Sequence, residues 1–238
     1  PGVSLRYVKR LSDLGSPDMI ILPGTKNTMK DLRWMRSSGL ETAVKKAWEK
    51  GCVIFGVCGG YQMLGMTLTD PEGAEGGGRM RGMELLPVDT VFSRQKMRTR
   101  AEGVFERPAG ILGILEGTAL TGYEIHMGQS TFRGEPDNPG DTQECYLTRI
   151  CDKVTGQEKK EGACRENVYG SYIHGIFDRE EISKKVIQAL AAKKGMDFSR
   201  LEIEDYAVYK ERQYDRLAET LRQHLDMERI YGILEAGV

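Results

Sequence analysis

A cysteine flanked by glycines is the first candidate for chemistry in this chain. Residues 56–60 read Gly-Val-Cys-Gly-Gly, between an apolar run at 52–55 and a helical pattern that begins at Tyr61. A sharp turn from strand to helix exposes the side chain at its apex and needs neighbours without bulk. Because a helix start favours a thiolate, we expect Cys58 to have a lowered pKa and to act as a nucleophile.

A histidine and two backbone turns are predicted to complete this site. His174 follows the run 168–173, which predicts one strand, and Gly24 and Thr25 follow the apolar run 19–22. The carboxyl ends of parallel strands meet at one edge of a sheet, which brings these residues toward the nucleophile. His174 is then the candidate base, and the N–H groups of Gly59 and of the Gly24-Thr25 turn are the candidate oxyanion donors.

The remaining cysteines are interpreted as small core residues. Five cysteines make an odd count, and none belongs to a Cys-x-x-Cys pair. Both facts argue against a disulfide framework and against a zinc site, so we expect no metal. The residues interpreted in this way are Cys52, Cys145, Cys151 and Cys164.

The other two histidines and the glycine run give weaker signals. His126 lies in the segment 122–128, which is also compatible with a strand that leads into a turn. His224 falls in a long amphipathic pattern and is interpreted as a surface or packing residue. The glycines at 76–78 lack the Lys-Ser/Thr of a phosphate loop, so they do not support nucleotide binding.

The elements that must position these residues follow an α/β order. The apolar runs before the two glycine turns predict strands, and 28–50 between them predicts one helix that ends at Gly51. Strand, helix, strand is the minimal parallel unit. Another helix is expected over 61–68, and the glycine-rich stretch 70–78 is expected to form a loop near the site.

The second half of the chain is richer in β patterns. Short runs between 85 and 172 predict antiparallel hairpins on one side of the sheet, and the alternating basic residues at 94–100 predict a solvated strand face. Asp178 is expected to cap a helix over 179–194. A longer helix is expected over 205–231, with a leucine stripe in the core. This stripe consists of Leu217, Leu221 and Leu225.

Composition excludes several classes of function. The 238 residues carry 34 basic and 35 acidic side chains, a net charge of -1, so the overall charge favours neither nucleic acid nor a membrane surface. No apolar run reaches the ~20 residues that span a bilayer. We expect one large α/β domain in the cytoplasm, with a small molecule or a protein as its partner.

Five ordered motifs resemble a known family. They lie at 22–28 (LPGTKNT), 56–65 (GVCGGYQMLG), 82–88 (GMELLPV), 122–128 (GYEIHMG) and 172–175 (YIHG). Together they resemble the class I, or triad, glutamine amidotransferase domain over most of 18–178. More narrowly, they look like the carboxyl-terminal half of the cobyric acid synthase (CobQ) family of cobalamin biosynthesis.

The resemblance implies a flavodoxin-like, three-layer α/β fold with a mostly parallel central sheet and antiparallel β insertions. It implies an amidotransferase domain over 1–195 and a C-terminal helical extension over 196–238. In that family an ATP-dependent amidoligase domain precedes the glutaminase domain. Because this chain starts at Pro1 and has no phosphate loop, we expect a fragment that needs no cofactor, with ATP and Mg²⁺ bound in the other domain.

The resemblance also implies a reaction. Cys58 attacks the side-chain amide of L-glutamine to form a thioester, and His174 protonates the departing ammonia and activates water. Ammonia then passes to the amidoligase domain, where ATP activates peripheral carboxylates of a corrinoid. The residues expected to hold the amino acid end of glutamine are Gln62, His126, Met127 and Gly128.

One position departs from the general amidotransferase pattern. Many triad amidotransferases have a glutamate two residues after the histidine, and here that position is Ile176. The corrinoid-amidating families also lack this glutamate. Asp178 and Glu124 are the carboxylates available to orient His174, and the sequence does not choose between them.

Two other functions are compatible with the same motifs. One is the glutaminase subunit of another amidoligase, such as lipid II isoglutaminyl synthase, although the segments 82–88 and 122–128 argue against it. The other is a regulatory domain that keeps the fold without turnover, which the missing third carboxylate allows.

Overall fold

The computed structural model describes residues 3–133, 145–197 and 206–237, which form an α/β fold with two β-sheets. The α/β class predicted from the sequence is confirmed. The strands are β1 (Met19–Leu22), β2 (Val53–Val57), β3 (Thr67–Asp70), β4 (Gly78–Arg81), β5 (Val88–Phe105), β6 (Ala119–Phe132), β7 (Thr148–Asp152), β8 (Glu158–Glu161), β9 (Ala163–Arg165), β10 (Val168–Ser171) and β11 (Ile173–His174). The helices are α1 (Thr28–Ser37), α2 (Leu40–Glu49), α3 (Gly59–Leu64), α4 (Glu180–Lys193), α5 (Tyr206–His224) and α6 (Met227–Ala236).

The smaller sheet has the order β1-β2-β10-β9, in which β1, β2 and β10 are parallel and β9 is antiparallel to β10. Successive side chains of β2 point to opposite faces. Ile54 packs with the core under α1 and α2, whereas Val53 and Phe55 pack with the core that includes α4 and the larger sheet. The sheet is therefore covered on both faces, as parallel sheets generally are.

The larger sheet has the order β11-β6-β5-β3-β4, with β7 and β8 added along β5. It is antiparallel except for the pair β3 and β5. The predicted antiparallel hairpins are confirmed, but the short runs predicted within 88–105 belong to one strand. This strand pairs with β6 on both sides of an irregularity between Phe92 and Met97. The polar residues between the predicted runs therefore belong to the strand as well. The basic residues at 94–100 are exposed on this strand, as predicted.

The segment before His174 differs from the predicted single strand over 168–173. The chain leaves the smaller sheet at Ser171 and enters the larger sheet at Ile173, so that β10 pairs with β2 and β11 pairs with β6. The sequence does not distinguish two short strands in different sheets from one strand, since residues 168–173 are all buried and no change of pattern marks the crossing.

Two helices predicted in the first half are shorter than expected. The predicted helix over 28–50 is two helices, because Gly39 adopts a φ of 79° between α1 and α2. The predicted helix over 61–68 begins at Gly59 and ends at Leu64, and residues 67–70 form β3 instead. β-branched Thr67 and Thr69 favour the strand.

The C-terminal part corrects three further predictions. Asp178 does not cap α4, since Arg179 occupies that position and makes no side-chain capping bond. The predicted helix over 205–231 is broken between α5 and α6, and its residue 205 lies outside the described part. The leucine stripe is not core: Leu217, Leu221 and Leu225 are exposed, with Leu217 at 56%. The boundary proposed at residue 195 stays a prediction.

The structure also corrects the interpretation of the remaining cysteines as small core residues outside any disulfide. Cys145 and Cys164 form a disulfide, while Cys52, Cys58 and Cys151 are free. The two partners are 19 positions apart in sequence. They meet because the Cys164 N–H donates to the Cys145 carbonyl at 2.8 Å. Sequence spacing did not indicate this contact.

No helix in the described ranges is long and apolar enough to cross a membrane. The cytoplasmic location inferred from the sequence stays a prediction.

The approach of α3 to the smaller sheet depends on Gly60. A side-chain Cβ at this position would overlap the carbonyl oxygen of Leu22 in β1. Gly56, on β2, faces the same turn, where an added Cβ would lie 2.6 Å from the Gly60 carbonyl group. These glycines let the turn after β2 lie directly against β1.

We expect Gly60→Ala to lower the free energy of unfolding by about 2 kcal/mol or more, because the added methyl group meets fixed backbone. Gly232→Ala is the matched control, since Gly232 also lies in a helix and an added Cβ there meets nothing within 4 Å. That variant is expected to be neutral or more stable by up to about 1 kcal/mol. Urea denaturation measures both values, and equal stability of the two variants would contradict the packing argument.

Candidate active site

Cys58 stands at the turn between β2 and α3 in a strained backbone conformation. Its φ is 52° and its ψ is -110°, and α3 begins at the next residue. Positive φ is uncommon for a residue with a side chain, and such strain persists only where the surroundings fix it. The close packing of Gly56 and Gly60 provides this constraint. The strand-to-helix turn predicted for the nucleophile is therefore present.

Burial determines the protonation of Cys58 in the resting site. The residue is 8% exposed, and its thiol donates to the Ile125 carbonyl at 3.6 Å. Burial raises the pKa of Cys58, the backbone N–H of Gly59 acts in the opposite direction, and Glu75 raises the pKa further. The lowered pKa expected from the helix start is wrong for this state, because α3 is short and desolvation outweighs its N–H groups.

His174 lies beside Cys58 at the Gly24 turn. A Cβ placed on Gly24 would be 3.5 Å from the Cys58 Cβ, 3.0 Å from the His174 Cε1 and 3.8 Å from its Nε2. The His174 ring stacks on Tyr123, with centroids 5.0 Å apart. Burial, and then the charge of His126, lower the pKa of His174, so the imidazole is neutral near pH 7 and can accept a proton.

The structure also brings the candidate oxyanion residues together. A Cβ placed on Gly59 would lie 3.0 Å from the Thr25 nitrogen and 2.8 Å from its Oγ1. The Thr25 Oγ1 is buried and has no hydrogen-bond partner among the described residues. Gly24, Thr25 and Gly59 therefore line the same small volume next to Cys58, and their role as donors stays a prediction.

Gln62 lies inside the fold. It is 2% exposed, its Oε1 accepts from the Thr28 hydroxyl at 2.9 Å, and its Nε2 donates to the Tyr172 hydroxyl at 3.2 Å. The side chain thus connects α3 to α1 and to the crossing before His174. Its predicted contact with glutamine stays a prediction.

The segment around His126 forms another wall near the site. The His126 Nδ1 is 2.7 Å from the Gly128 carbonyl oxygen, and its ring stacks on Tyr172 at a centroid distance of 3.7 Å. Met127 is half-buried, and a Cβ on Gly128 would overlap the Gln62 amide nitrogen. The His126 Nε2 is buried without a hydrogen-bond partner among the described residues. These residues lie together on β6, and their contact with substrate stays a prediction.

The two carboxylates considered for orienting His174 have other neighbours. Glu124 is fully buried and lies 2.8 Å from the Lys159 ammonium and 3.7 Å from the His126 ring. Burial opposes its charge, but His126 and Lys159 outweigh that effect and lower the pKa of Glu124. Burial raises the pKa of Asp178, against the charge of Lys210. In the described part of the chain, neither carboxylate is hydrogen-bonded to His174.

Sequence reasoning missed a buried polar group next to these residues. Glu161 accepts hydrogen bonds from the Tyr172 N–H at 2.5 Å, the Ser171 hydroxyl at 2.8 Å and the Thr148 hydroxyl at 2.9 Å. The Tyr172 hydroxyl is hydrogen-bonded to the Ser130 hydroxyl at 2.7 Å. Glu161 ends the run Glu-Lys-Lys-Glu, which is typical of a solvated edge strand, so the sequence carried no signal for its burial.

Nothing in the described ranges groups three or more metal-ligating side chains. A cysteine thiol, a neutral imidazole and converging backbone turns are instead the parts needed for acyl transfer through a thioester.

Comparison with known proteins gives one family. A profile of the CobB/CobQ-like glutamine amidotransferase domain matches residues 1–182. The cobyric acid synthase of Lachnoclostridium phytofermentans is 47% identical over 243 residues, which cover 100% of this chain and 46% of that protein. That of Moorella thermoacetica is 40% identical over 235 residues, which cover 98% and 44%. The chain thus spans less than half the length of these relatives.

Solved structures agree on the fold. The structure of PurLQS from Thermotoga maritima has a TM-score of 0.54 and 20% identity, and the match covers 79% of this chain and 85% of that one. A crystal structure of a glutamine amidotransferase has a TM-score of 0.51 and 17% identity, with 80% and 88% covered. The predicted amidotransferase fold is confirmed.

The burial of Glu161 has a consequence for stability. Desolvation raises the pKa of Glu161 from 4.5 to about 7, although its three hydrogen bonds oppose the rise, and the charge of Glu124 on β6 adds to it. Tyr61 on α3 and Tyr172 at the crossing also face this carboxyl group. The fold favours neutral Glu161, so its stabilising contribution is complete below pH 4.5 and is lost as the pH rises through about 7.

We expect the free energy of unfolding to fall by up to about 3 kcal/mol more in the wild-type protein than in Glu161→Gln between roughly pH 5 and 8. The lowered pKa of His174 acts in the opposite direction in both proteins, so the difference between them isolates Glu161. Urea denaturation at a series of pH values measures this difference. Glu158→Gln is an exposed control on the same strand, and identical curves for wild type and Glu161→Gln would refute the assignment.

Proposed function

The chain belongs to the CobB/CobQ-like glutamine amidotransferase family and is a glutamine amidotransferase domain, and from this premise we propose that Cys58 and His174 release ammonia from L-glutamine. The observation that carries the proposal is that the two side chains converge. Atoms of both lie within 4 Å of the position that a Cβ on Gly24 would occupy. A thiol next to a neutral imidazole is the arrangement that nucleophilic acyl transfer requires.

The first half-reaction begins with proton transfer from the Cys58 thiol to His174. The sulfur attacks the carbonyl carbon of the glutamine side chain, and the negative charge moves to the amide oxygen, where the N–H groups of Gly59 and Thr25 stabilise it. As the C–N bond breaks, His174 returns the proton to the departing nitrogen. The products are ammonia and a γ-glutamyl thioester on Cys58.

The second half-reaction frees the enzyme. His174 takes a proton from water, the resulting hydroxide attacks the thioester carbonyl, and the C–S bond breaks. The proton on His174 returns to the sulfur, and glutamate leaves. The buried Nε2 of His174, which has no partner in the described structure, is the group available for both proton transfers.

We further propose that the ammonia serves amidation in a larger protein. The similar cobyric acid synthases are about twice as long as this chain, so a further domain is expected to accompany it. The proposed partner is an ATP- and Mg²⁺-dependent amidoligase domain that activates peripheral carboxylates of a corrinoid. No cofactor is proposed for the glutaminase reaction itself.

We expect Cys58→Ala to abolish glutamine hydrolysis, and His174→Asn to lower its rate by about 10³-fold or more, because thioester formation needs both groups. Glutamate release, measured with and without the amidoligase domain, gives the rate. Cys151→Ala is the matched control, since Cys151 is another free cysteine. Covalent labelling by a glutamine-analogue electrophile must be confined to Cys58, and hydrolysis by Cys58→Ala would overturn the mechanism.

The corrinoid proposal has a separate test in the protein that contains both domains. Cys58→Ala should lose amidation of a corrinoid carboxylate with glutamine as nitrogen donor but keep amidation with added ammonium salt. The reason is that the substitution removes the ammonia source and leaves the ligase intact. Mass spectrometry of the corrinoid measures the product. No amidation by the wild-type protein with either donor would refute the corrinoid assignment and leave glutamine hydrolysis standing.

A further inference from the structure

The imidazole of His174 is held in the site without a hydrogen bond from the described residues. Its Nε2 is buried and unpartnered, and its ring contact is the stacking on Tyr123. Strand β11 is only two residues long and pairs with β6 through Ile173 and His174. The direction of the ring therefore depends on the backbone that leads into β11.

That backbone is the crossing segment 171–173, which joins the two sheets. Glu161 lies fully buried against it. Its Oε1 accepts from the Tyr172 N–H at 2.5 Å, and its Oε2 accepts from the Ser171 hydroxyl at 2.8 Å. The Ser171 Oγ in turn accepts from the Ile173 N–H at 3.0 Å. The carboxyl group of Glu161 is thus connected to all three residues of the crossing segment.

The same carboxyl group also contacts a neighbouring strand of the larger sheet. Its Oε2 accepts from the Thr148 hydroxyl on β7 at 2.9 Å. The Tyr172 hydroxyl also accepts a hydrogen bond from the Gln62 Nε2. Gln62 belongs to α3, the helix that follows Cys58. Displacement of the crossing segment would therefore move His174 relative to the element that carries the nucleophile.

We propose that Glu161 is a positioning residue for His174, which fixes the crossing segment 171–173 and so aims the imidazole at Cys58. This inference rests on the proposed role of His174 as the base. Glu161 is not a catalytic residue, because its contacts are with the crossing segment and Thr148 rather than with the imidazole. Loss of its acceptors would leave the Tyr172 N–H buried and unpaired, and the segment would shift to satisfy it.

Kinetics of three variants test the proposal in the form of the protein that hydrolyses glutamine. Glu161→Leu removes the acceptors and is expected to lower kcat by about 10²-fold, with much less change in KM. Glu161→Gln keeps an oxygen for the Tyr172 N–H and should recover most of this loss. Glu158→Gln, an exposed carboxylate on the same strand, should match wild type. A wild-type kcat in Glu161→Leu would overturn the proposal.

Titration of the histidines by NMR tests the positioning directly. The chain has only three histidines, so few ring signals have to be told apart. In Glu161→Leu the pKa of His174 should move back toward its ordinary value as the ring leaves its half-buried position, whereas in Glu158→Gln it should stay as in wild type. An unchanged His174 titration in a folded Glu161→Leu would refute the proposal.

Ser171→Ala covers the case in which Glu161→Leu does not fold. It removes the hydroxyl that connects Glu161 to the Ile173 N–H, and it should lower kcat and shift the His174 titration in the same direction, by smaller amounts. Wild-type behaviour on both measures would then count against Glu161. The two proposals fail separately: inactivity of the wild-type protein refutes glutamine hydrolysis, whereas the titration still decides the positioning role.

Discussion

The contact between the turn after β2 and strand β1 is the constraint on which the site depends. Gly60 lies so close to the Leu22 carbonyl that a single methyl group would separate them. This contact places Cys58 beside the Gly24 turn and holds its backbone at a positive φ. Such strain costs on the order of 1–3 kcal/mol and needs rigid surroundings. The position of the sulfur is therefore a property of the packed sheet and helix, rather than of the turn alone.

The candidate base, His174, lies in a different sheet from the strand before Cys58, so the site lies between the two sheets. Cys58 follows β2 of the smaller, mostly parallel sheet, whereas His174 belongs to the larger sheet through β11. The chain crosses between the sheets at Tyr172, whose hydroxyl and ring contact Gln62 and His126. Tyr172 thus contacts both α3 and β6 near the point where the nucleophile and the base meet.

Local signals explain what the sequence revealed. Glycines around Cys58 and an apolar run before His174 are readable within a few positions, and both residues lie where they were expected. The break at Gly39 and the crossing at Tyr172 were missed, because they depend on one glycine and on strand partners about 50 residues away. Glu161 was missed because a charged run gives no sign that one member is buried. The leucine stripe near Leu217 has a core-like pattern on an exposed helix, so periodicity alone misplaced it.

Burial gives the resting site a neutral thiol and a neutral imidazole, since it raises the pKa of Cys58 and lowers that of His174. Proton transfer between them would create two charges in a region poor in water, which is unfavourable unless other groups stabilise them. In the proposed reaction, the sulfur loses its charge as it bonds to the amide carbon, and the charge appears on the amide oxygen near Gly59 and Thr25. A bound amide therefore takes up the negative charge that a free thiolate would carry, and it places this charge next to hydrogen-bond donors. The same burial that suppresses a free thiolate thus makes activation of Cys58 depend on the substrate.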